Sequence, residues 1–343
     1  MAQRYRIGIV GLDHWYVGLA AAEIAARDPH LELVAIAHRD PVRLQEAAAR
    51  FGARHTTQDY RSVAERDDVD VVVTACPTSE NADLVVAAAN AGKHIVSVKP
   101  IAMNLADADR IVAAVRENGV RFISNESPYR TFPAIRQIRD WLDEGRLGRA
   151  VSAYAVFRAP LPRQGWPGVY EDTWWLDPSK TPGGGWIDHA IYHIDVLRWL
   201  FAAEVRSISG VTANLVHHDL RPGMEDFGVA NVVFDGGQVG LSEVTWTATA
   251  GGSYESFHLV GTEGQAVSDP TTTGKVAVTG RFEVPGWFRV DAGPQSYSLL
   301  PHLVDALERD VPTVAGVDDA RANLAACLAF YEAVRTGRTV DLR

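Results

Sequence analysis

Along residues 5–148, short runs of β-branched residues alternate with alanine-rich stretches in which apolar positions recur every three to four residues. The runs at 7–10, 33–37, 69–74, 94–98 and 121–123 read as strands, and 17–27, 41–51, 79–91 and 104–118 as helices. Gly52, Gly92 and Gly119 stand just past three of these helices, where a left-handed residue ends them. The strand runs are apolar on both faces, which predicts a parallel, doubly wound sheet covered by helices on both sides. Beyond residue 150 the pattern changes. A helix is expected over 185–201, followed by strands at 205–217, 227–234, 238–249 and 255–260, with DGG at 235–237 as a hairpin turn. A last helix is expected over 318–336. The fold class is therefore α/β: a doubly wound parallel sheet, then an α+β domain with an open, mainly antiparallel sheet.

Composition narrows the function. The chain has 343 residues, enough for two cores, with 47% hydrophobic and 22% charged residues. A formal charge of −10 argues against nucleic acid or an anionic membrane as partner, since both reward clustered Lys and Arg. No apolar run approaches the roughly 20 residues of a membrane span, and the N-terminal stretch passes directly into a strand without an export signal. Only Cys76 and Cys327 occur, so no disulfide framework is expected. A cytoplasmic enzyme is the resulting expectation.

Candidate chemistry gathers at strand ends and on one helix. IGIVGLDHWYVG follows the strand–turn–helix plan that holds a pyrophosphate on a helix N-terminus. Of the usual G-x-G-x-x-G only Gly11 is present; Asp13 and Tyr16 fill the other two places, and Gly18 is available for close packing. A carboxylate at position 13 would repel phosphate, so a turn that binds nothing is the competing reading. In AIAHRDP, His38 stands at the second strand's tip, where an acidic residue would favour NAD; Arg39 beside it would suit a 2′-phosphate and tilts the expectation toward NADP, unless it is a solvated loop residue. VSVKPIAMN closes a buried strand with Lys99 and Pro100, placing an ammonium at the ligand crevice for oxygen binding or proton transfer. In GGGWIDHAIYHID, Asp188, Tyr192 and Asp195 share one helical face, while His189 and His193 share another. A metal would need a third ligand that no motif supplies, so none is expected. The alternatives here are a catalytic face directed at Lys99 or polar groups bonded within a core helix. The segment 160–183, rich in proline, glycine and tryptophan, reads as an ordered loop over a site; Trp166, Trp174 and Trp175 could line it or pack its own core.

Taken together, ELVAIAHRDPVRLQEAAARFG, AGKHIVSVKP, GGGWIDHAIYHIDVLRWL, FHLVGTEGQAVSD and FYEAVRTGRTVDL resemble the landmarks of the Gfo/Idh/MocA oxidoreductases, the glucose-fructose oxidoreductase and inositol dehydrogenase family, in the same order. The resemblance implies an N-terminal Rossmann domain over 1–125 and a substrate-binding and oligomerisation domain over 126–343, whose last helix can pack back on the first. It implies hydride transfer between NADP or NAD and a hydroxyl or keto carbon of a sugar, inositol or related polyol, by a homodimer or homotetramer. The family's E-K-P motif is VKP here, so Lys99 and Pro100 match it and Val98 replaces the glutamate. Its D-x-x-x-H motif falls on Asp188 and Tyr192, so tyrosine holds the acid–base position and His193, one residue later, is the backup. Asp13 and His38 also depart from the family's NAD-binding pattern. The implied cofactor contacts are Gly11, Asp13, His14, Trp15, His38, Arg39, Cys76, Pro77, Asn81, Lys99 and Pro100; Asn125 joins the three tryptophans on the substrate side. Two competitors remain: a lyase or epimerase that keeps its cofactor, and a non-catalytic binding or regulatory protein.

Overall fold

The first apolar run folds as β1 (Tyr5–Val10), and its near-complete burial sets the architecture around it. The computed structural model describes residues 4–342, so the expected outer domain bounds, Met1 and Arg343, lie outside the described residues. After β1 come α1 (Trp15–Arg27), β2 (Leu31–Ala37), α2 (Pro41–Phe51), β3 (His55–Thr57) and α3 (Tyr60–Ala64). Then follow β4 (Val71–Thr74), α4 (Thr78–Asn90), β5 (His94–Ser97), α5 (Leu105–Asn118) and β6 (Phe122–Ser124). The six strands form one parallel sheet in the order β3-β2-β1-β4-β5-β6. Helix ends follow local chemistry: the Asp40 carboxylate caps α2 ahead of Pro41, Asn104 caps α5, and Gly52 and Gly119 end them at positive φ. The short β3 and α3 were absent from the sequence reading, being too brief to show a period.

The chain continues through α6 (Pro133–Asp143), β7 (Ala150–Arg158) and a hairpin of β8 (Gln164–Trp166) and β9 (Val169–Tyr170) to α7 (Gly185–Phe201). Strands β10 (Val205–Ala213), β11 (Phe227–Phe234), β12 (Val239–Thr245), β13 (Tyr254–Gly261), β14 (Gln265–Asp269), β15 (Lys275–Thr279) and β16 (Phe288–Asp291) follow. The described chain closes with α8 (Leu300–Glu308), α9 (Val317–Thr336) and β17 (Val340–Asp341). Nine strands form an open sheet in the order β16-β15-β14-β13-β7-β12-β11-β10-β17, antiparallel except where β7 pairs with β12. Two expected strands end early. Residues 214–217 leave β10 because the backbone N–H groups of Leu215, Val216 and His217 donate to the Asp226 carboxylate instead of to a ladder. Beyond Thr245 only an isolated bridge joins Thr247 to Pro160.

Two compact units result. One takes the chain up to Glu126 together with 163–182 and 297–324; the other takes 127–162, 183–296 and the chain from 325 onward. In the first, Leu299, Leu300, Leu303 and Val304 of the α8 region join Leu19, Ala22, Ile36 and Val73 in one buried cluster. In the second, α7 lies against β7, β11 and β12. The sheet meets it with small residues: Ala153 and Ala155 are fully buried, a Cβ on Gly228 would lie 2.6 Å from the Trp186 side chain, and one on Gly240 2.8 Å from Leu197. Large residues of the helix fill the space that the strand leaves. Among the described residues, no helix is long and apolar enough to cross a membrane.

Candidate active site

In the first unit, the chain leaves β1 through Gly11, whose φ of +86° and close approach to Cys76 require glycine; a Cβ there would lie 2.8 Å from the Cys76 nitrogen. The turn is stitched to the neighbouring strand ends. Gly11 N donates to Ala37 O at 2.9 Å, Leu12 N to His38 Nδ1 at 3.3 Å, and His14 N to Ala75 O at 2.9 Å. Gly18 lets α1 approach closely, for a Cβ there would sit 2.8 Å from the Leu12 side chain and 3.2 Å from Gly11 O. Helix α1 begins at Trp15 with neither a side-chain cap nor an acid in its first turn, leaving its positive end to an anion.

Asp13 does not stand alone on this turn. Its carboxylate accepts the Tyr60 hydroxyl at 2.6 Å and lies 3.9 Å from His38 Nδ1. Burial pushes the Tyr60 phenol up, with Asp13 adding to the effect, so Tyr60 is a neutral donor. Burial also lowers the His38 pKa against the pull of Asp13, so His38 is a neutral ring at neutral pH. Arg39 reaches across to α4, both of its terminal nitrogens on the Glu80 carboxylate, one at 2.6 Å, with its guanidinium 4.9 Å from the Tyr60 ring centre.

Segment 163–182 folds over the same turn. Trp15 Nε1 donates to Gln164 O at 2.7 Å and Trp174 Nε1 to Asp13 O at 3.2 Å. Trp174 and Trp175 stack on each other at 4.2 Å, and both meet the His14 ring edge-on. Trp166 is elsewhere: it stacks on His38 at 6.2 Å and donates to Glu46. Lys99, with no solvent exposure, holds Nζ 4.1 Å from the centre of the Trp175 ring, a cation–π contact in a desolvated place. Pro100 follows it. Asn81 has its amide committed within the sheet's end, donating to Ser97 Oγ and Ile101 O and accepting from Thr74 Oγ1. Cys76 is buried, which raises its thiol pKa and keeps it neutral, and Pro77 precedes α4.

This rim fits a dinucleotide. Besides the obligatory glycine and the uncapped helix, three buried residues, His38 after β2, Thr78 at the start of α4 and Asn125 after β6, carry polar atoms with no partner among the described residues: His38 Nε2, Thr78 Oγ1 and both amide atoms of Asn125. Buried polar atoms of this kind ask for a hydrogen-bonding ligand or water.

In the second unit, α7 runs unbroken from Gly185 to Phe201, so Tyr192 keeps its place four residues after Asp188 with no bulge. Glu225 holds the helix start. Its carboxylate accepts Gly184 N at 3.2 Å, Trp186 N at 2.9 Å and the Tyr331 hydroxyl at 2.8 Å, and its carbonyl accepts Gly185 N at 2.7 Å. The three glycines answer to this contact. A Cβ on Gly184 would lie 2.5 Å from Glu225 N, and one on Gly183 2.2 Å from the Tyr331 oxygen. Asp188 Oδ2 accepts Trp246 Nε1 at 2.9 Å and lies 3.1 Å from His189 Nδ1. Tyr192 stacks on Tyr129 at 5.7 Å, and Asp195 forms a buried two-pronged ion pair with Arg130. His189 lies flat on Phe157, whereas His193 turns to the sheet, its Nδ1 2.8 Å from Ser242 Oγ. Burial drives the His193 pKa down to about 3, so it stays neutral. Among the described residues no group of three His, Cys, Asp or Glu side chains could hold a metal ion. The sequence reading missed Tyr60, Glu80, Glu225, Trp246 and Tyr129, all of which act across long sequence separations and carry no local motif.

Comparison with known proteins agrees with the fold. The family profile described as "Oxidoreductase family, NAD-binding Rossmann fold" matches residues 5–126, and the one described as "GFO/IDH/MocA C-terminal domain" matches 135–267. The chain is 27% identical to a 1,5-anhydro-D-fructose reductase of Ensifer adhaerens over 96% of its length and 99% of the relative's. It is 25% identical to a myo-inositol 2-dehydrogenase of Thermotoga maritima over 93% of each. A solved levoglucosan dehydrogenase in complex with NADH shares the fold with a TM-score of 0.85 at 24% identity, over 99% of this chain and 100% of that one.

Proposed function

The chain belongs to the GFO/IDH/MocA oxidoreductase family, and we propose that within it the protein is a nicotinamide-dependent dehydrogenase or reductase acting on a hydroxyl or keto carbon of a sugar, inositol or related polyol. The observation that carries this reading is Lys99. A lysine without solvent exposure, just past the end of a parallel strand and laid on an indole, sets a positive charge in a desolvated place, where it can act strongly on a substrate oxygen. The polyol classes on which the two curated relatives are named to act point to the same substrate chemistry.

In this reading Gly11, the N-terminal turn of α1 and the groups of His38 and Thr78 without partners hold the dinucleotide, and the Asn125 amide is kept for the substrate. When bound, nicotinamide supplies the hydride acceptor or donor. Lys99 donates to the substrate oxygen and balances the negative charge that develops on it. Tyr192 takes the hydroxyl proton in oxidation and returns it in reduction. Asp188 orients this end of α7 through Trp246 and His189. His193 is left a packing role, supported by its neutral ring on Ser242. Trp174 and Trp175, beside Lys99, offer flat faces to the C–H surface of a ring. Trp166, at the tip of β2, is assigned to the adenosine side rather than to substrate.

The face of the nine-stranded sheet away from α7 exposes Tyr154, Val211 and Val239, which supports association with a second copy of this chain. Titration with NADH and NADPH, followed by a screen of sugars and inositols with both oxidised forms, tests the function. Saturable binding and turnover of at least one polyol are expected. Binding of neither dinucleotide would leave a non-catalytic protein, and conversion without net cofactor consumption would leave a lyase or epimerase.

A further inference from the structure

The tip of β2 carries two arginines, and each already has a carboxylate. Arg39 is engaged by Glu80 through both terminal nitrogens. Arg43 is engaged by Glu171 at 2.6 Å and by Asp40 at 3.4 Å. Asp13 adds a further carboxylate on the adjoining turn, and His38 is neutral. Arg39 follows β2 and Glu80 lies on the helix after β4, the two strands that flank β1 in the sheet, so their ion pair bridges the elements on either side of it, near enough to Asp13 to feel its charge. A bare arginine here would reward a ribose 2′-phosphate. A matched one does not.

We infer that Glu80 is the specificity-determining residue for the dinucleotide and that, by holding Arg39, it selects NAD(H) over NADP(H); the inference rests on the dehydrogenase reading above and deepens it. A 2′-phosphate carries close to two negative charges. It would have to take the guanidinium from a two-pronged carboxylate and then lie beside Glu80 and Asp13. A free 2′-hydroxyl meets no such penalty, since carboxylates accept hydrogen bonds from ribose hydroxyls directly. The side chains of Arg39 and Glu80 are 59% and 27% exposed. The pair therefore adds little to folding, and its removal reads out on ligand choice rather than on stability.

The test is the dissociation constant of NADH and of NADPH for the wild-type protein, Glu80→Gln, Glu80→Ala and the double variant Arg39→Ala/Glu80→Gln. The wild type is expected to bind NADH about tenfold tighter than NADPH or better. Either Glu80 variant should raise the NADPH-to-NADH affinity ratio about tenfold, the worth of one charge-assisted contact. The double variant should lose that gain, because it acts through Arg39. A wild type that prefers NADPH overturns the inference, as does NADH binding with a ratio that Glu80 variants leave unmoved; both outcomes leave the dehydrogenase reading standing. Binding of neither dinucleotide overturns the two together.

Discussion

At the scale of the residue, the two groups given chemical roles differ in how their surroundings constrain them. Lys99 lies on Trp175 without solvent, so shortening it removes the charge and leaves a void. Lys99→Ala is expected to lower kcat by about 10²-fold or more while the dissociation constant for NADH changes far less. Undiminished turnover would take Lys99 out of the mechanism. Tyr192→Phe keeps the stack on Tyr129 and removes only the hydroxyl; kcat should fall by roughly 10²- to 10⁴-fold, the usual worth of a positioned proton carrier. If the variant retained full activity, the proton would have to travel by another group. Both residues stood out in the chain as candidates, Lys99 from the apolar run and proline around it and Tyr192 from the family motif that falls on Asp188 and Tyr192. The partners that fix Asp13 and Arg39 did not. Tyr60 and Glu80 stand 47 and 41 residues away from them in sequence, with nothing local to mark the pairing.

At the scale of the element, α7 depends on its first turn. Glu225 caps it from another segment, and the glycines at 183–185 leave room for the approach. Gly184→Ala would drive a Cβ into the Glu225 backbone, which cannot yield as a flexible side chain would. A loss of about 1–3 kcal/mol in urea unfolding is expected, and a neutral effect would show that the contact is looser than described. Glu225 also couples this turn to pH. Burial raises its pKa from 4.5 to about 7. The folded state therefore holds the proton more tightly than the unfolded one, and this group's contribution is fully present below about pH 4.5 and lost as pH rises toward 7. His193, lowered to about 3, acts in the opposite sense between about pH 3 and 6.5. Glu225→Gln removes only the first effect. The stability deficit of that variant relative to wild type should therefore shrink between pH 5 and pH 8, and a deficit that stays constant would contradict the raised carboxyl. The helix itself was readable from its period, and GGG was visible as an oddity. Its reason was not, since it lies in a loop residue 41 positions beyond Gly184.

At the scale of the whole molecule, a formal charge of −10 argues against nucleic acid and anionic membranes as partners, and one face of the nine-stranded sheet exposes apolar side chains. Tyr154, Val211 and Val239 lie on it at 46%, 56% and 44% exposure. If a second copy covers this face, light scattering at micromolar concentration should give a dimer or tetramer, and Tyr154→Asp combined with Val211→Asp should shift it toward monomer. A wild-type monomer would end the proposal. The alternation of strands and helices announced the parallel sheet apart from the short β3, and the later runs announced β10 to β13 of the second sheet but not β14 to β17. Strand β7 escaped notice because its buried face is alanine, with Val151 and Tyr154 pointing outward. The usual signature of a half-buried strand is inverted where a helix packs this closely.

The chain by itself determined the fold class, the family, the lysine that follows β5 and the tyrosine four residues after Asp188. The fold class follows from periodicity, which local backbone geometry converts directly into a place, whereas the family and the expectation for Tyr192 came from motifs the chain shares with that family. Only the tertiary structure decided that Arg39 is already matched by Glu80, that three glycines make room for a buried carboxylate, and that Trp166 belongs with His38 rather than with Trp174 and Trp175. Those are contacts between distant segments. Charge pairing and close packing depend on which surfaces the fold brings within a few ångströms, and no local pattern in the sequence encodes that distance.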